Sequence, residues 1–275
     1  MTSIPTIALH DGTPMPQLGF GVFQVPDDGA QAAVATALES GYRSIDTATI
    51  YGNEAGVGRA IAESGLARDE LFVTTKLWLT DLARDAVRPA LEASLERLRL
   101  DAVDLYLIHW PAPATDDYLR AWEGMEEVRA LGLTRSAGVS NFLPEHLDRI
   151  AELGGTLPTV NQIELHPALQ SHELVSANAA HAIATEAWSP LGQGAALTDP
   201  AIVAIAQAHG ATPAQVVLRW HLQQGRIVIP KSVTPSRIAE NLDVFGFELS
   251  GEQLNAIDAL DKGERIGPDP AQFNG

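Results

Sequence analysis

Four side chains in the first half of the sequence have types that could move a proton. Asp46, Lys76 and His109 each end an apolar, β-rich stretch, and Tyr51 comes five residues after Asp46. A lysine at the end of a buried strand loses its hydration and needs a carboxylate, for which Asp46 is the expected partner. Tyrosine has a pKa of about 10, so a nearby Lys76 ammonium is expected to ease formation of its phenolate. With His109 donating a hydrogen bond to the substrate oxygen, these residues predict protonation of a carbonyl oxygen by Tyr51.

Further polar residues occupy equivalent places at the ends of later apolar stretches. They are Ser140, Asn141, Gln162, Glu164, Lys231 and Ser232. Steps of 30, 33 and 31 residues separate, in turn, Asp46, Lys76, His109 and Ser140. Parallel strands need a crossover of about a dozen residues or more, usually a helix, so this interval is typical of a βα repeat.

Eight segments fit strands buried on both faces, because each is a nearly continuous apolar run. They are residues 18–23, 44–46, 71–76, 103–109, 136–141, 160–165, 182–189 and 226–232. The intervening segments have helical patterns, and one apolar helix face consists of Val87, Leu91, Leu95 and Leu98. Another helix is predicted between Thr212-Pro213 and Gly225, which supply the start and stop signals.

Eight βα units in 275 residues without a Ser-rich or Pro-rich linker predict an α/β fold of one domain, a closed (β/α)8 TIM barrel over residues 1–275. A doubly wound open sheet is the alternative, but Gly19 and Gly21 begin a Gly-x-Gly-x-x-Gly turn that Gln24 fails to complete. The residues around Asp11-Gly12 predict a β-hairpin at the bottom of the barrel. In such barrels the reacting groups lie at the carboxyl ends of the strands, where the polar residues occur here.

The composition restricts the chemistry and the partners. The sequence has no cysteine, which excludes disulfides, thiolate nucleophiles and cysteine zinc sites. Its formal charge of −17 argues against a nucleic acid partner and means that an anionic cofactor would need locally concentrated Lys and Arg. No apolar run approaches the ~20 residues of a membrane span, and the start lacks a signal-peptide pattern. We therefore expect a cytoplasmic protein that does not bind membranes.

Over nearly the whole chain, long motifs resemble the aldo-keto reductase family in family order. They are GYRSIDTATIYGNEAGVG, VTTKLW, VDLYLIHWP, GVSNF, NQIELHP, WSPLGQG and IPKSVTPSRIAENLDVFGF. The nearest likeness is to the prokaryotic 2,5-diketo-D-gluconate reductases. The resemblance implies a catalytic tetrad that consists of Asp46, Tyr51, Lys76 and His109. In that family the tyrosine protonates the oxygen while a nicotinamide cofactor delivers hydride to the carbonyl carbon.

The resemblance also implies NADPH as the cofactor. The matching positions are Ser140, Asn141 and Gln162 for the nicotinamide carboxamide, Trp188 and the adjoining Ser189 for its ring, Leu191 to Gln193 for the pyrophosphate, Lys231, Ser232 and Arg237 for the 2′-phosphate, and Glu240 and Asn241 for the adenine. Trp188 stands where many members have tyrosine, and an indole can stack equally well. Independently, Thr234 and Pro235 predict a helix start, whose free N–H groups favour an anion. Some relatives have another basic residue at the Thr234 position, but we expect NADPH over NADH.

The expected substrates are small aldehydes, ketones and dicarbonyls of the methylglyoxal or 2,5-diketo-D-gluconate kind. Phe23, Trp78 and Trp110 match the aromatic lining of the family's cleft, with His109 among them. The short tail, residues 265–275, matches a variable loop over the pocket. This match predicts an open, partly polar substrate pocket.

Two other functions remain as alternatives. A barrel mouth with Asp46, His109, Glu164 and His166 could bind a divalent metal for hydrolysis, although the Lys76 ammonium would compete with the metal. A barrel that binds the cofactor as a sensor or regulatory subunit is the second alternative, and the complete tetrad argues against it. By analogy with the family we expect a monomer without a metal.

Overall fold

The computed structural model describes residues 4–275, so residues 1–3 of the expected domain lie outside the described part. The strands are β1 (Thr6–Ala8), β2 (Pro14–Pro16), β3 (Phe20–Gly21), β4 (Ser44–Asp46), β5 (Phe72–Leu77), β6 (Val103–Ile108), β7 (Thr134–Ser140), β8 (Val160–Glu164), β9 (Ala184–Trp188) and β10 (Ile227–Val228). Strands β3 to β10 form one parallel sheet in chain order. Each of the eight predicted segments overlaps one of these strands.

The sheet closes on itself between its first and last strands. The Gly19 N–H donates to the Val228 carbonyl at 2.8 Å, the Val228 N–H donates to the Gln17 carbonyl at 3.0 Å, and Leu18 bridges Val228 in parallel. The (β/α)8 barrel is therefore confirmed, and the open-sheet alternative is wrong. The last strand is shorter than the predicted segment 226–232 because Pro230 has no N–H to continue the ladder.

Helices cover the outside of the barrel. They are α1 (Asp27–Ser40), α2 (Glu54–Glu63), α3 (Arg84–Leu98), α4 (Tyr118–Ala130), α5 (Pro144–Glu152), α6 (His172–Ala180), α7 (Pro200–His209), α8 (Pro213–Gln223), α9 (Pro235–Leu242) and α10 (Gly251–Asp258). Short 3₁₀ segments occur at Thr49–Tyr51, Arg68–Glu70, Leu79–Asp81 and Gly192–Thr198. Within residues 4–275 no single helix has both the length and the apolar composition to cross a membrane; α7 and α8 meet these criteria only as a pair, bent by 90°.

The local sequence signals account for the helices that they predicted. The four apolar residues spaced along α3, from Val87 to Leu98, are all buried against the sheet. At the start of α8, Thr212 Oγ1 accepts from the Gln215 N–H at 3.3 Å, and Gln215 Oε1 accepts from the Thr212 N–H at 2.8 Å. This reciprocal capping box starts the helix at Pro213, as expected.

The predicted hairpin closes the amino-terminal end of the barrel. Strands β1 and β2 pair antiparallel, and Gly12 takes a φ of +87° in the turn between them. The Ser136 hydroxyl of β7 donates to Asp11 Oδ2 at 2.7 Å. Leu9 and Met15 pack on barrel residues including Phe72 of β5. The polar residues that follow the strands lie at the opposite end of the barrel, where the strands end.

Helices α2 and α3 pack so closely that Gly58 has no room for a side chain. A Cβ atom at Gly58 would lie 2.5 Å from the Leu98 carbonyl oxygen, which is backbone and cannot turn away. In a helix, alanine is normally favoured over glycine by about 0.5–1 kcal/mol, but overpacking costs about 1–3 kcal/mol.

We therefore predict that Gly58→Ala lowers the free energy of unfolding by about 1–2 kcal/mol, the difference between these two effects. Gly29→Ala on α1 is the matched control, because its Cβ would meet Val25 at an ordinary 3.4 Å. This control should be neutral or stabilising in urea unfolding. Equal stabilisation by both substitutions would contradict the close packing.

Candidate active site

A buried ion pair lies at the carboxyl end of neighbouring strands β4 and β5. Lys76 Nζ donates to Asp46 Oδ1 at 2.5 Å and to the Thr47 carbonyl at 3.0 Å, and neither charged side chain is appreciably exposed. Burial would lower the pKa of the Lys76 ammonium, but the carboxylate of Asp46 raises it above its ordinary value. Lys76 is therefore a permanent cation at physiological pH.

Tyr51 ends the 3₁₀ turn that follows β4 and is half-buried next to this pair. Lys76 Nζ lies 5.2 Å from the centroid of the Tyr51 ring. Burial raises the pKa of the Tyr51 hydroxyl, and the opposing effect of Lys76 is too small to bring it below its ordinary value. Lys76 thus acts on the phenolate in the expected direction, but burial outweighs its effect. Tyr51 holds its proton and can act as an acid.

His109 follows β6 directly and is buried. Its ring packs edge-on against Tyr51, with centroids 5.6 Å apart, and against Trp78, at 5.2 Å. Burial, reinforced by the charge of Lys76, holds the pKa of the His109 imidazole well below its ordinary value. Its Nδ1 atom is buried and has no hydrogen-bond partner within residues 4–275. The imidazole is neutral and can donate one hydrogen bond to a ligand.

A carboxyl group that strand-end reasoning misses lies beside the tetrad residues. Gln162 on β8 donates from Nε2 to Asp46 Oδ2 and to Glu186 Oε2, both at 2.8 Å. Burial, followed by the charge of Asp46, raises the pKa of the Glu186 carboxyl to about 8. Glu186 lies two residues before the end of β9, and its only sequence signal is a charge within the apolar stretch 182–189.

Ser140, Asn141 and Trp188 are brought together on the same side of the mouth. Asn141 donates from Nδ2 to the His109 carbonyl at 3.0 Å and accepts from Trp188 Nε1 on Oδ1 at 2.8 Å. It has a φ of +63°, a conformation that asparagine tolerates better than most residues. Ser140 donates from its hydroxyl to the Gln162 carbonyl at 2.8 Å. Gln162, with both amide hydrogens used, keeps an acceptor oxygen.

The loop after β9 departs from regular structure. Ser189 and Gln193 have φ values of +47° and +52°, Leu191 is half-buried, and the side chain of Gln193 is exposed. These residues directly follow Trp188 in the sequence, and their backbone turns sharply. Two further residues of the predicted cofactor set, Lys231 and Ser232, follow β10.

Lys231 and Arg237 are exposed cations on either side of the start of α9. The helix begins at Pro235 with Thr234 at the N-cap position, as predicted, but the Thr234 side chain makes no capping bond. Instead, the Thr234 N–H donates to Ser232 Oγ at 3.1 Å. The first N–H groups of α9 have no intrahelical partner, as at the start of any helix.

The remaining predicted residues of this region are tied to α8 and to the core. Glu240 accepts from the Thr212 hydroxyl at 2.8 Å, and Asn241 is buried. Both belong to α9, one helical turn beyond Arg237.

The aromatic residues Phe23, Trp78 and Trp110 lie at the barrel mouth. The Phe23 ring is 50% exposed and lies 5.1 Å from Tyr51 between centroids, which leaves an apolar face open beside the proposed acid. Trp110 is buried, and its centroid lies 4.6 Å from that of Phe273, which also approaches Trp78 at 6.4 Å. The tail thus reaches the mouth through Phe273, a residue that its sequence position did not single out.

Glu164 fastens the same tail to the barrel. Its two carboxylate oxygens accept from the N–H groups of Ile266, at 2.6 Å, and Gly267, at 3.0 Å, and His166 Nε2 lies 3.0 Å from Oε1. Although burial opposes it, these hydrogen bonds lower the pKa of the Glu164 carboxyl. A Cβ atom at Gly267 would lie 2.4 Å from the Trp188 ring, so the tail backbone rests on the indole.

Three of the four residues considered for a metal site are divided between two networks. Asp46 binds Lys76, whereas Glu164 binds His166 and the tail. Within residues 4–275, no three His, Asp or Glu side chains form a cluster that could hold a metal ion. The geometry gives the hydrolase alternative no ligand set.

Comparisons with known proteins agree with this site. A family model described as the aldo/keto reductase family matches residues 17–262. The chain is 54% identical over 270 residues to an aldo-keto reductase of Mycolicibacterium smegmatis, covering 98% of each chain. It is 55% identical over 275 residues to methylglyoxal reductase DkgA of Yersinia pestis, covering 99% of each. A solved structure of a Gox0644 mutant in complex with NADPH is 48% identical, with a TM-score of 0.95 and 99% of each chain covered.

The bond between Glu164 and the tail leads to a prediction. Glu164→Gln leaves one acceptor oxygen for two backbone N–H groups, so the tail should separate from Trp188 more often. A hydrogen bond to a charged group is worth about 1.5–3 kcal/mol, which corresponds to about a 10- to 100-fold larger open population. Trypsin cleavage after Arg265, followed by mass spectrometry, should accelerate by that factor.

The control for this experiment is Glu252→Gln, which changes an exposed carboxyl on α10. Its cleavage rate should equal that of the wild type. An unchanged rate in Glu164→Gln would show that the tail is held by its other contacts.

Proposed function

The chain belongs to the aldo/keto reductase family, and on that basis we propose that Tyr51 is the proton donor with which it reduces small carbonyl compounds. The protein is an oxidoreductase whose cofactor is NADPH, which supplies a hydride to the carbonyl carbon when bound. The observation that carries the assignment of Tyr51 is the buried Lys76–Asp46 ion pair beside its ring.

Each tetrad residue has one task in the proposed reaction. Tyr51 gives its hydroxyl proton to the carbonyl oxygen, and the Lys76 ammonium stabilises the negative charge that develops on the phenolate. His109 donates a hydrogen bond to the same oxygen and fixes its direction, which a neutral imidazole can do. Asp46 keeps Lys76 charged and in position.

The residues proposed to hold NADPH suit its two ends. Lys231 and Arg237 are exposed cations at a helix start in a protein of formal charge −17, which favours the 2′-phosphate there. At the other end, Trp188 and Asn141 form an aromatic wall and an amide beside the backbone of His109. We assign to the nicotinamide end Ser140, Asn141, Gln162, Trp188 and Ser189, to the pyrophosphate Leu191 to Gln193, and to the adenosine end Lys231, Ser232, Arg237, Glu240 and Asn241.

The proposed substrates are small aldehydes, ketones and dicarbonyls such as methylglyoxal. The methylglyoxal reductases to which the chain is similar support this class. The rim supports it too, because the ring of Phe23 packs on Tyr51 and that of Trp78 on His109, which gives the acid aromatic neighbours. Trp110 is proposed to act as the wall that supports the tail residue Phe273.

We further propose that residues 1–275 are one domain and that the protein is a cytoplasmic monomer. The hairpin and the tail both bind the barrel directly, which supports a single folding unit. A chain without cysteine forms no disulfide, so its fold does not depend on an oxidising compartment. A sensor that binds the cofactor without turnover would need no proton donor, so the gathered tetrad favours catalysis.

The first test of this function is Tyr51→Phe. Because it removes the acid and keeps the ring, turnover of methylglyoxal with NADPH should fall by about 100- to 10,000-fold. NADPH binding, measured by fluorescence titration, should be unchanged and serves as the control for folding. Full turnover in this variant would refute Tyr51 as the proton donor.

The second test concerns the cofactor phosphate. Replacing Lys231 or Arg237 by Ala should weaken NADPH binding by about 10- to 100-fold, because a hydrogen bond to a charged group is worth about 1.5–3 kcal/mol. NADH, which has no 2′-phosphate, should bind these variants as it binds the wild type. Arg88→Ala on the exposed face of α3 is the control. Equal losses for both cofactors would place the phosphate elsewhere.

A further inference from the structure

Glu186 is a fully buried carboxyl that the proposed reaction does not use. It lies in the middle of β9, in register with Gln162 on β8 and Ile227 on β10. Its Oε2 atom accepts from Gln162 Nε2, whereas its Oε1 atom is buried and has no hydrogen-bond partner within residues 4–275. A charged carboxylate here would have half of its acceptor capacity unsatisfied, which is costly in a protein interior.

The single Gln162 amide connects Glu186 to the tetrad residues. Its Nε2 atom is 2.8 Å from a carboxylate oxygen of Asp46 and 2.8 Å from one of Glu186, so the two carboxyl groups share one bridge. Within residues 4–275 the one cation acting on them, Lys76, is already bound to Asp46 at 2.5 Å. In this part of the chain Glu186 therefore has no counter-ion of its own.

The other groups around Glu186 show which titrations it can influence. The strand on its far side, β10, contributes the apolar residues Ile227 and Val228. The charged and titratable groups that act on it or feel its charge are Asp46 from β4, Tyr51 from the following turn and Lys76 from β5. A negative charge on Glu186 therefore opposes a second new negative charge at Tyr51.

We propose that Glu186 is a positioning residue which, through its charge and its bridge to Asp46, helps Tyr51 keep its proton and so extends carbonyl reduction to more alkaline pH. This inference rests on the proposed role of Tyr51 as proton donor. Burial raises the pKa of Glu186 to about 8, so the group is neutral at pH 7 and becomes charged in the alkaline range where Tyr51 would otherwise begin to lose its proton. The same charge delays alcohol oxidation, which needs the phenolate as a base.

The decisive variant is Glu186→Gln, which keeps an acceptor oxygen for Gln162 and can never become charged. The alkaline limb of kcat/KM for methylglyoxal reduction should move to lower pH by up to about one unit, because Glu186 acts on Tyr51 less strongly than Lys76 and Asp46 do. On that limb one unit corresponds to about a tenfold lower rate, which is the upper limit of the expected loss. The rise of alcohol oxidation with pH should move by the same amount in the same direction.

A direct readout of Tyr51 separates this effect from a general loss of activity. The tyrosinate absorbance of each protein, minus that of its Tyr51→Phe counterpart, reports the titration of this one hydroxyl. Glu186→Gln should move that titration to lower pH by the same amount as the alkaline limb. A structural role of Glu186 would alter melting temperature or KM and leave both pH curves in place.

The matched control is Glu54→Gln, which changes another buried carboxyl whose partners are Thr75 and Arg97 outside the barrel mouth. Its pH limb should coincide with that of the wild type. Glu186→Ala is the second variant, and it should show the same shift if the Gln variant folds poorly.

Unshifted limbs in both folded Glu186 variants, with turnover retained, would overturn this inference and leave the reductase function intact. Full turnover in Tyr51→Phe would instead refute the proposed proton donor on which it rests.

Discussion

The barrel mouth depends on the ion pair between Lys76 and Asp46. An ammonium buried without a partner costs several kcal/mol, so Lys76 can lie inside the barrel only while β4 places Asp46 at 2.5 Å from it. Side chains alternate between the two faces of a strand, and Thr75 accordingly points outward to Glu54 on α2. A slip of one residue between β4 and β5 would place one charge of the pair outside and leave the other unpaired. The ion pair and the register of the strands therefore require each other.

One charged pair in a closed interior also determines the charge of its neighbours. Burial and the charge of Lys76 keep His109 neutral, and burial keeps protons on Tyr51 and Glu186 at pH 7. The mouth thus has two removable protons on oxygen, but they differ in access, since Tyr51 is half-buried and Glu186 is fully buried. Tyr51, which a ligand can reach, is suited to donate its proton. Glu186, which is enclosed, can only change the electrostatic potential at Tyr51.

The sequence predicts the residues at strand ends well, because the carboxyl ends of parallel strands meet at one rim whatever the details of packing. From this principle alone, Asp46, Lys76 and His109 are expected to lie close together. It could not find Glu186, which lies inside a strand, or Phe273, whose place depends on the path of an irregular tail. The sequence also could not predict that the pKa of Tyr51 is raised. The direction of this shift depends on a balance between burial and nearby charge, and the sequence reveals only the charge.

Strands β8 and β9 each contribute one residue to each of two successive layers of the barrel, and the two layers make different contacts. In the lower layer Gln162 pairs in register with Glu186 and joins the proton network, and in the upper layer Glu164 pairs with Trp188 and holds the tail. Because side chains two residues apart share a face, the layers are adjacent, yet no hydrogen bond within residues 4–275 joins the Glu164 carboxylate to the Asp46 network. The tail can therefore change in length or path while Asp46, Lys76 and Gln162 keep their own contacts.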